Sequence, residues 1–248
     1  MSIIYILWLR QLKRYVRSRA RVLGSLAQPL LFLFAMGFGF GPMYQKAGNG
    51  SYIQFLAPGI IAMAILFTAV FTGIEILWDR QFGFLKETLV APVPRFIIVL
   101  GRTLGGATVS LIQGFIVFVV CLLVGFRVHQ IAFIPVAFVF MFLIAMFFTG
   151  LGTIMGSLIQ DMQAFPLIMN FLVMPLFFFS GAIFPLNGLP RALHIAIRLN
   201  PLTYGIDGVR GAFSTVSTFG LGMDFALSGI SATVLFFIGS YFFSKIEI

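Results

Sequence analysis

TLGGATVSLIQGFIVFVVCLLVGF, residues 103–126, runs for 24 residues without an Asp, Glu, Lys or Arg. At about 1.5 Å of rise per residue, such a helix reaches across a hydrocarbon core of about 30 Å. One charge at the centre of a span costs about 2.5–3.5 kcal/mol on insertion scales, so a clean stretch of this length is the mark of a bilayer. Five more stretches share the property: 22–45, 47–74, 128–160, 162–190 and 225–244. The sequence therefore predicts an all-α integral membrane protein with six transmembrane helices.

Composition agrees: 60% of residues are hydrophobic and 9% charged, where soluble domains carry about a quarter charged. Six spans within 248 residues leave little for a soluble unit, so residues 1–248 read as one membrane domain. Residues 1–9 precede the basic cluster, the reverse of the order in a cleavable signal peptide. The single Cys121 lies inside the third stretch, where a small buried hydrophobe is expected and an intrachain disulfide is impossible.

The net charge of +9 is placed by topology. Arg10, Lys13, Arg14, Arg17, Arg19 and Arg21 precede the first span, and Arg80, Lys86, Arg95 and Arg102 sit between the second and third. With both termini cytoplasmic, inner segments hold eleven Lys/Arg, Lys245 included, against five outside: Lys46, Arg127, Arg191, Arg198 and Arg210. Positive charge in excess marks the cytoplasmic side, so the basic balance argues for this orientation and against nucleic acid as a partner.

Residues 1–21 predict an amphipathic interfacial helix. Ile4, Trp8, Leu12, Tyr15 and Val16 form its apolar face, and Arg10, Lys13, Arg14, Arg17 and Arg21 face anionic lipid headgroups. A tight turn at 127–130 makes the third and fourth spans a helical hairpin. The pairs Gly101/Gly105 and Gly152/Gly156 predict close helix approach, within the chain or between copies. Pro166 and Pro175 interrupt the fifth span and free carbonyls that protein or water must satisfy, which makes this helix the candidate to line a pathway. Residues 190–199 are amphipathic and too short to span; they are expected in the outer interface, stopped by Asn200-Pro201.

Several chemistries lack their residues. No G-x-x-x-x-G-K-[ST] phosphate loop occurs. The two histidines, His129 and His194, and one Cys supply no metal constellation. No carboxylate falls at a span centre, as an ion-coupled transporter would need. What stands out is the inner loop 78–95, WDRQFGFLKETLVAPVPR. It mixes aromatics with both signs of charge, and Phe82, Leu85 and Leu89 share one helical face suited to a cytoplasmic partner.

Residues 79–95 of this loop resemble the segment after the second helix of ABC-2 type transporter permeases. So do 179–190, with Phe179-Ser180-Gly181-Ala182-Ile183-Phe184-Pro185-Leu186, and 199–210, from Leu199-Asn200-Pro201 to Arg210. With the six spans, the resemblance covers essentially the whole chain and looks most like the small bacterial permeases of drug, lipo-oligosaccharide and polysaccharide exporters. It implies short re-entrant outer helices over 185–223 before the last span, and a place in the bacterial cytoplasmic membrane. It also implies a second permease copy, as a homodimer, and two separate ABC ATPase subunits that bind ATP and Mg; this chain would bind no cofactor. Phe82, Gly83, Phe84, Leu85, Lys86, Glu87 and Thr88 are then the coupling residues. Ser180, Gly181, Pro185, Asn200, Pro201 and Tyr204 shape the outer gate. A secondary transporter or channel without an ATPase, and a non-transporting scaffold, are the rival classes.

Overall fold

The computed structural model describes residues 3–46, 50–85, 88, 93–184, 190–214 and 217–246. In chain order the helices are α1 (Ile3–Arg17), α2 (Arg19–Lys46), α3 (Tyr52–Phe71), α4 (Ile74–Gln81), α5 (Arg95–Val124), α6 (Ile134–Leu158), α7 (Ala164–Phe178), α8 (Arg191–Leu199), α9 (Pro201–Ser214) and α10 (Leu221–Ser244). A 3-10 turn, Ile131–Phe133, leads into α6, and helix is the only regular structure among the described residues.

Five stretches are long and apolar enough to cross a membrane: Arg19–Lys46, Tyr52–Gln81, Arg95–Val124, Ile131–Leu158 and Leu221–Ser244. The expected fifth span forms only the 15-residue α7, about 22 Å long and so shorter than a hydrocarbon core. The expected second span is two helices, α3 and α4, separated at Thr72 and Gly73.

The core is built around α3, whose residues from Leu56 to Leu66 are all buried. α5 and α6 lie beside it as the expected antiparallel hairpin, with Gly114 against Met141 and Gly106 against Thr149. Left-handed Gly125 (φ 114) ends α5, and the His129 amide donates to the Phe213 carbonyl at 2.9 Å. By contrast, α6 and α10 run parallel: Phe140 meets Phe225 at one end, and Gly150 meets Leu235 further along both helices.

Both glycine pairs serve packing within the chain. A Cβ on Gly156 would stand 2.4 Å from the Gly73 carbonyl oxygen, and one on Gly73 would stand 2.1 Å from that of Gly152. No side chain fits there, so α6 crosses the α3–α4 junction backbone to backbone. Gly101 and Gly105 do the same for α1, whose Leu7 and Gln11 occupy the space beside them.

That seat changes which residues of the N-terminal helix face the bundle. α1 buries Leu7, Gln11 and Tyr15 against α5, while Val16, expected on the apolar face, is exposed. Arg10 and Arg14, expected toward headgroups, turn to carboxylates of α4. Glycine lets the helices approach, and two buried acids make the inward turn of the cations favourable. Burial also raises the pKa of the Tyr15 phenol, which donates to the Gln113 side-chain oxygen as a neutral group.

Candidate functional site

α4 and the turn after it form one end of the bundle. The Phe82 amide donates to the Trp78 carbonyl at 2.9 Å, closing the helix, and Gly83 (φ 79) turns the chain in a left-handed conformation suited to glycine. Phe84 and Leu85 resume helix, and the Thr88 hydroxyl donates to the Phe84 carbonyl at 2.9 Å. The turn splits the face expected to hold Phe82 and Leu85 together. Phe82 and Phe84 are 68% and 50% exposed, whereas Leu85 is 3% exposed, buried with Leu7, Ile76, Ile98 and Phe243. Leu85 is thus the anchor, and the two phenylalanines are exposed. Lys86, Glu87 and Leu89 lie outside the described residues.

Behind the turn stands an ionic cluster. Asp79 and Glu75, one helical turn apart on α4, are 1% and 3% exposed. Asp79 pairs with Arg10 at 2.5 Å, Arg102 at 2.9 Å and Arg14 at 3.5 Å. Glu75 pairs with Arg21 at 2.8 Å and Arg14 at 3.2 Å. Four helices, α1, α2, α4 and α5, are tied by two carboxylates. Removing Asp79 strands the buried Arg102, which is the costly direction for such a pair. The cluster holds the exposed phenylalanines in fixed relation to the first two helices.

The expected gate residues meet at the other end. Left-handed Gly181 (φ 71) follows Ser180, whose hydroxyl donates to the Phe177 carbonyl at 2.6 Å and caps α7. Asn200 joins two elements: its amide donates to the Leu176 carbonyl at 2.5 Å, and its oxygen accepts from the Leu202 amide at 3.1 Å at the start of α9. Pro201 takes the first helical position, where the missing N–H costs nothing. The Tyr204 hydroxyl reaches back to the Arg198 carbonyl at 2.7 Å. Ser180, Gly181, Asn200, Pro201 and Tyr204 therefore belong to one cap over the end of α7; Pro185 lies outside the described residues. Ala182 packs so closely on α3 that a Cβ on Gly59 would lie 2.4 Å from its oxygen.

Reasoning from sequence missed two sets of residues. Arg102 was assigned to a loop, but α5 begins at Arg95 and carries it two turns inside, over the Phe243 ring at 6.0 Å. Glu75 and Asp79, four residues apart, were the available signal, because one helical face carrying two acids near a membrane end needs cations. At the cap, Arg210 lies 4.4 Å over the Phe55 ring and donates to the Gly181 carbonyl at 3.0 Å. Asp207 accepts from the Thr218 and Phe219 amides at 2.6 and 3.0 Å, and Ser217 bridges it to Asp224. α9 is buried along almost its whole length, so these charges sit inside the bundle.

The chain resembles known permeases along most of its length. It is 32% identical over 193 residues to nodulation protein J of Rhizobium leguminosarum bv. trifolii, covering 77% of this chain and 73% of that relative. To the inner membrane transport permease YadH of Escherichia coli K12 it is 28% identical over 224 residues, covering 87% and 86%. The model of the family described as ABC-2 type transporter matches residues 3–214, from α1 through α9. This multi-pass membrane chain belongs to the ABC-2 type transporter family.

Proposed function

We propose that the chain is the membrane permease of an ABC exporter, moving amphiphilic, drug-like or lipid-linked cargo with energy from a separate ATPase. Two permease copies form the membrane core, and two ATPase subunits bind ATP and Mg on the cytoplasmic side. The observation that carries the reading is the turn after α4. It exposes Phe82 and Phe84 while Leu85 and the Glu75–Asp79 cluster fix it to the bundle. An exposed aromatic pair on a rigid mount suits a partner's groove, and a push there reaches α1, α2 and α5 through ion pairs rather than through a loose loop. Substrate export then follows from a two-state membrane core biased by nucleotide on the partner.

The packing supports six crossings. Because α6 and α10 run parallel, the chain between them must return across the bundle, and α7 with the turn at 179–184 is the segment that does so. Six crossings put both termini on one side, which the eleven-to-five basic bias makes the cytoplasm. The relative named an inner membrane permease supports a bacterial inner-membrane setting. The test is reconstitution: Phe84→Ala should leave the permease folded but lower co-purification of the ATPase or uncouple ATP hydrolysis from export. A Phe84→Ala complex that assembles and exports like the parent overturns the assignment.

A further inference from the structure

α8 carries Arg191, His194 and Arg198 at spacings of three and four, so the three share one face. With Ile195 they line an open groove, and among the described residues none of the three is in an ion pair. An arginine in a last helical turn ordinarily serves the free carbonyls there. Here neutral donors already meet them. The Thr203 hydroxyl donates to the Ile197 carbonyl at 2.8 Å, and the Tyr204 hydroxyl to the Arg198 carbonyl at 2.7 Å. The two guanidinium groups are therefore left for something else.

Depth makes the missing partner matter. Pro201 and Leu202, just beyond α8, share a small cavity with Phe148 on α6 and Ser231 on α10. That point lies about 20 Å along α6 from Ile134 and about 15 Å along α10 from Leu221, near the middle of both candidate spans. Gly205 against Ile144 and Gly208 against Phe140 then carry α9 back toward the span ends. Arg198 is exposed close to that inner point. A lipid-facing cation there is costly, so the face borders water. No counter-charge answers it. The segments at this end, 46–51, 125–133 and 179–224, hold two acids, Asp207 and Asp224, 1% and 0% exposed and joined through Ser217. A headgroup phosphate stays at the bilayer surface, too far out for Arg198, whereas a hydrated ion follows water. We propose that Arg191, His194 and Arg198 bind a small tetrahedral oxyanion, phosphate or sulfate, from the water phase at this end. Two guanidinium forks match paired oxygens on such an anion, and an imidazole N–H between them adds a donor.

The site belongs to this chain alone and is tested without the ATPase, so it and the exporter assignment can fail separately. The purified full-length permease, in dodecyl maltoside and potassium gluconate of constant ionic strength, is dialysed to equilibrium against radiolabelled sulfate. Sulfate should bind saturably, one per chain, and unlabelled phosphate should displace it. Arg191→Gln and Arg198→Gln should each weaken binding about tenfold or more, as expected for a lost hydrogen bond to a charged group. Arg127→Gln, at an exposed arginine between α5 and α6, should leave binding unchanged. Arg198→Lys keeps the charge and loses the fork, so it should weaken binding even if Arg198→Gln fails to fold. Absence of saturable binding overturns the proposal. So does an equal loss in Arg127→Gln, which would mean diffuse surface charge rather than a site. Displacement of the sulfate by phosphatidylglycerol added to the micelles overturns the water-phase source, because a headgroup would then be the occupant.

Discussion

At Asp79, a single carboxylate answers Arg10, Arg14 and Arg102. Asp79→Asn keeps the shape and deletes the charge, leaving the 8%-exposed Arg102 unneutralised. The expected loss is about 3–5 kcal/mol, the range for breaking one partner out of a buried pair, read as a lower thermal midpoint of the purified permease. Lys13→Ala, at an exposed position on α1, should leave that midpoint within experimental scatter. Gly73 and Gly39 make a second pair of contrasts. Gly73→Ala drives a methyl into the Gly152 carbonyl and should cost about 1–3 kcal/mol of overpacking. Nothing lies within 4 Å of a Cβ on Gly39, so Gly39→Ala should hold or raise stability. The same thermal measurement checks both. The contrast between the glycines was not legible in the sequence. GxxxG marked Gly152 and Gly156 as small, but the glycine that faces them, Gly73, stands alone between Thr72 and Ile74.

The elements were legible where one property dominated. The hairpin of α5 and α6 followed from two clean apolar runs and a four-residue turn, and α8 from its amphipathic period and the Asn200-Pro201 stop. α1 was legible as a helix but not in its partner, because the arginines alone cannot distinguish phosphate groups from Glu75 and Asp79. The turn after α4 misled for a related reason. Helical spacing put Phe82 with Leu85, yet left-handed Gly83 resets the face between them. The two substitutions should therefore separate. Leu85→Ala empties a buried site and should destabilise the permease by about 2–5 kcal/mol, while Phe84→Ala should leave its thermal midpoint unchanged and lower ATPase retention on co-purification. If both variants lose ATPase with unaltered stability, Leu85 is a contact residue and its burial is not what matters.

Across the whole molecule, orientation is the property that binds the parts together. After Cys121→Ser, a cysteine at Gln81 should react with a membrane-impermeant maleimide only once the cytoplasmic side is opened. A cysteine at Ser51, at the start of α3, should react in intact cells. Labelling of Gln81→Cys from outside would reverse every assignment of side made above. Membrane class and family-level architecture were legible because hydrocarbon imposes long uncharged runs. The burial of α9 was not: Arg210 was counted among the outer charges of a re-entrant segment, and only the fold shows Asp207 and Arg210 satisfied by Thr218, Phe219 and the Gly181 carbonyl.

Synthesis order gives the ionic cluster a further meaning. Arg10, Arg14 and Arg21 leave the ribosome well before Glu75 and Asp79, and the seat at Gly101 and Gly105 follows later still. In the proposed orientation these cations would stand unneutralised beside an anionic leaflet while the first spans enter the bilayer, when charge has most influence on which way a helix inserts. Emergence of α4 then withdraws them from the surface, and emergence of α5 gives α1 its place. On that reading the acids would act as a latch that closes after orientation is chosen, and the finished protein would hide part of the charge that aimed it.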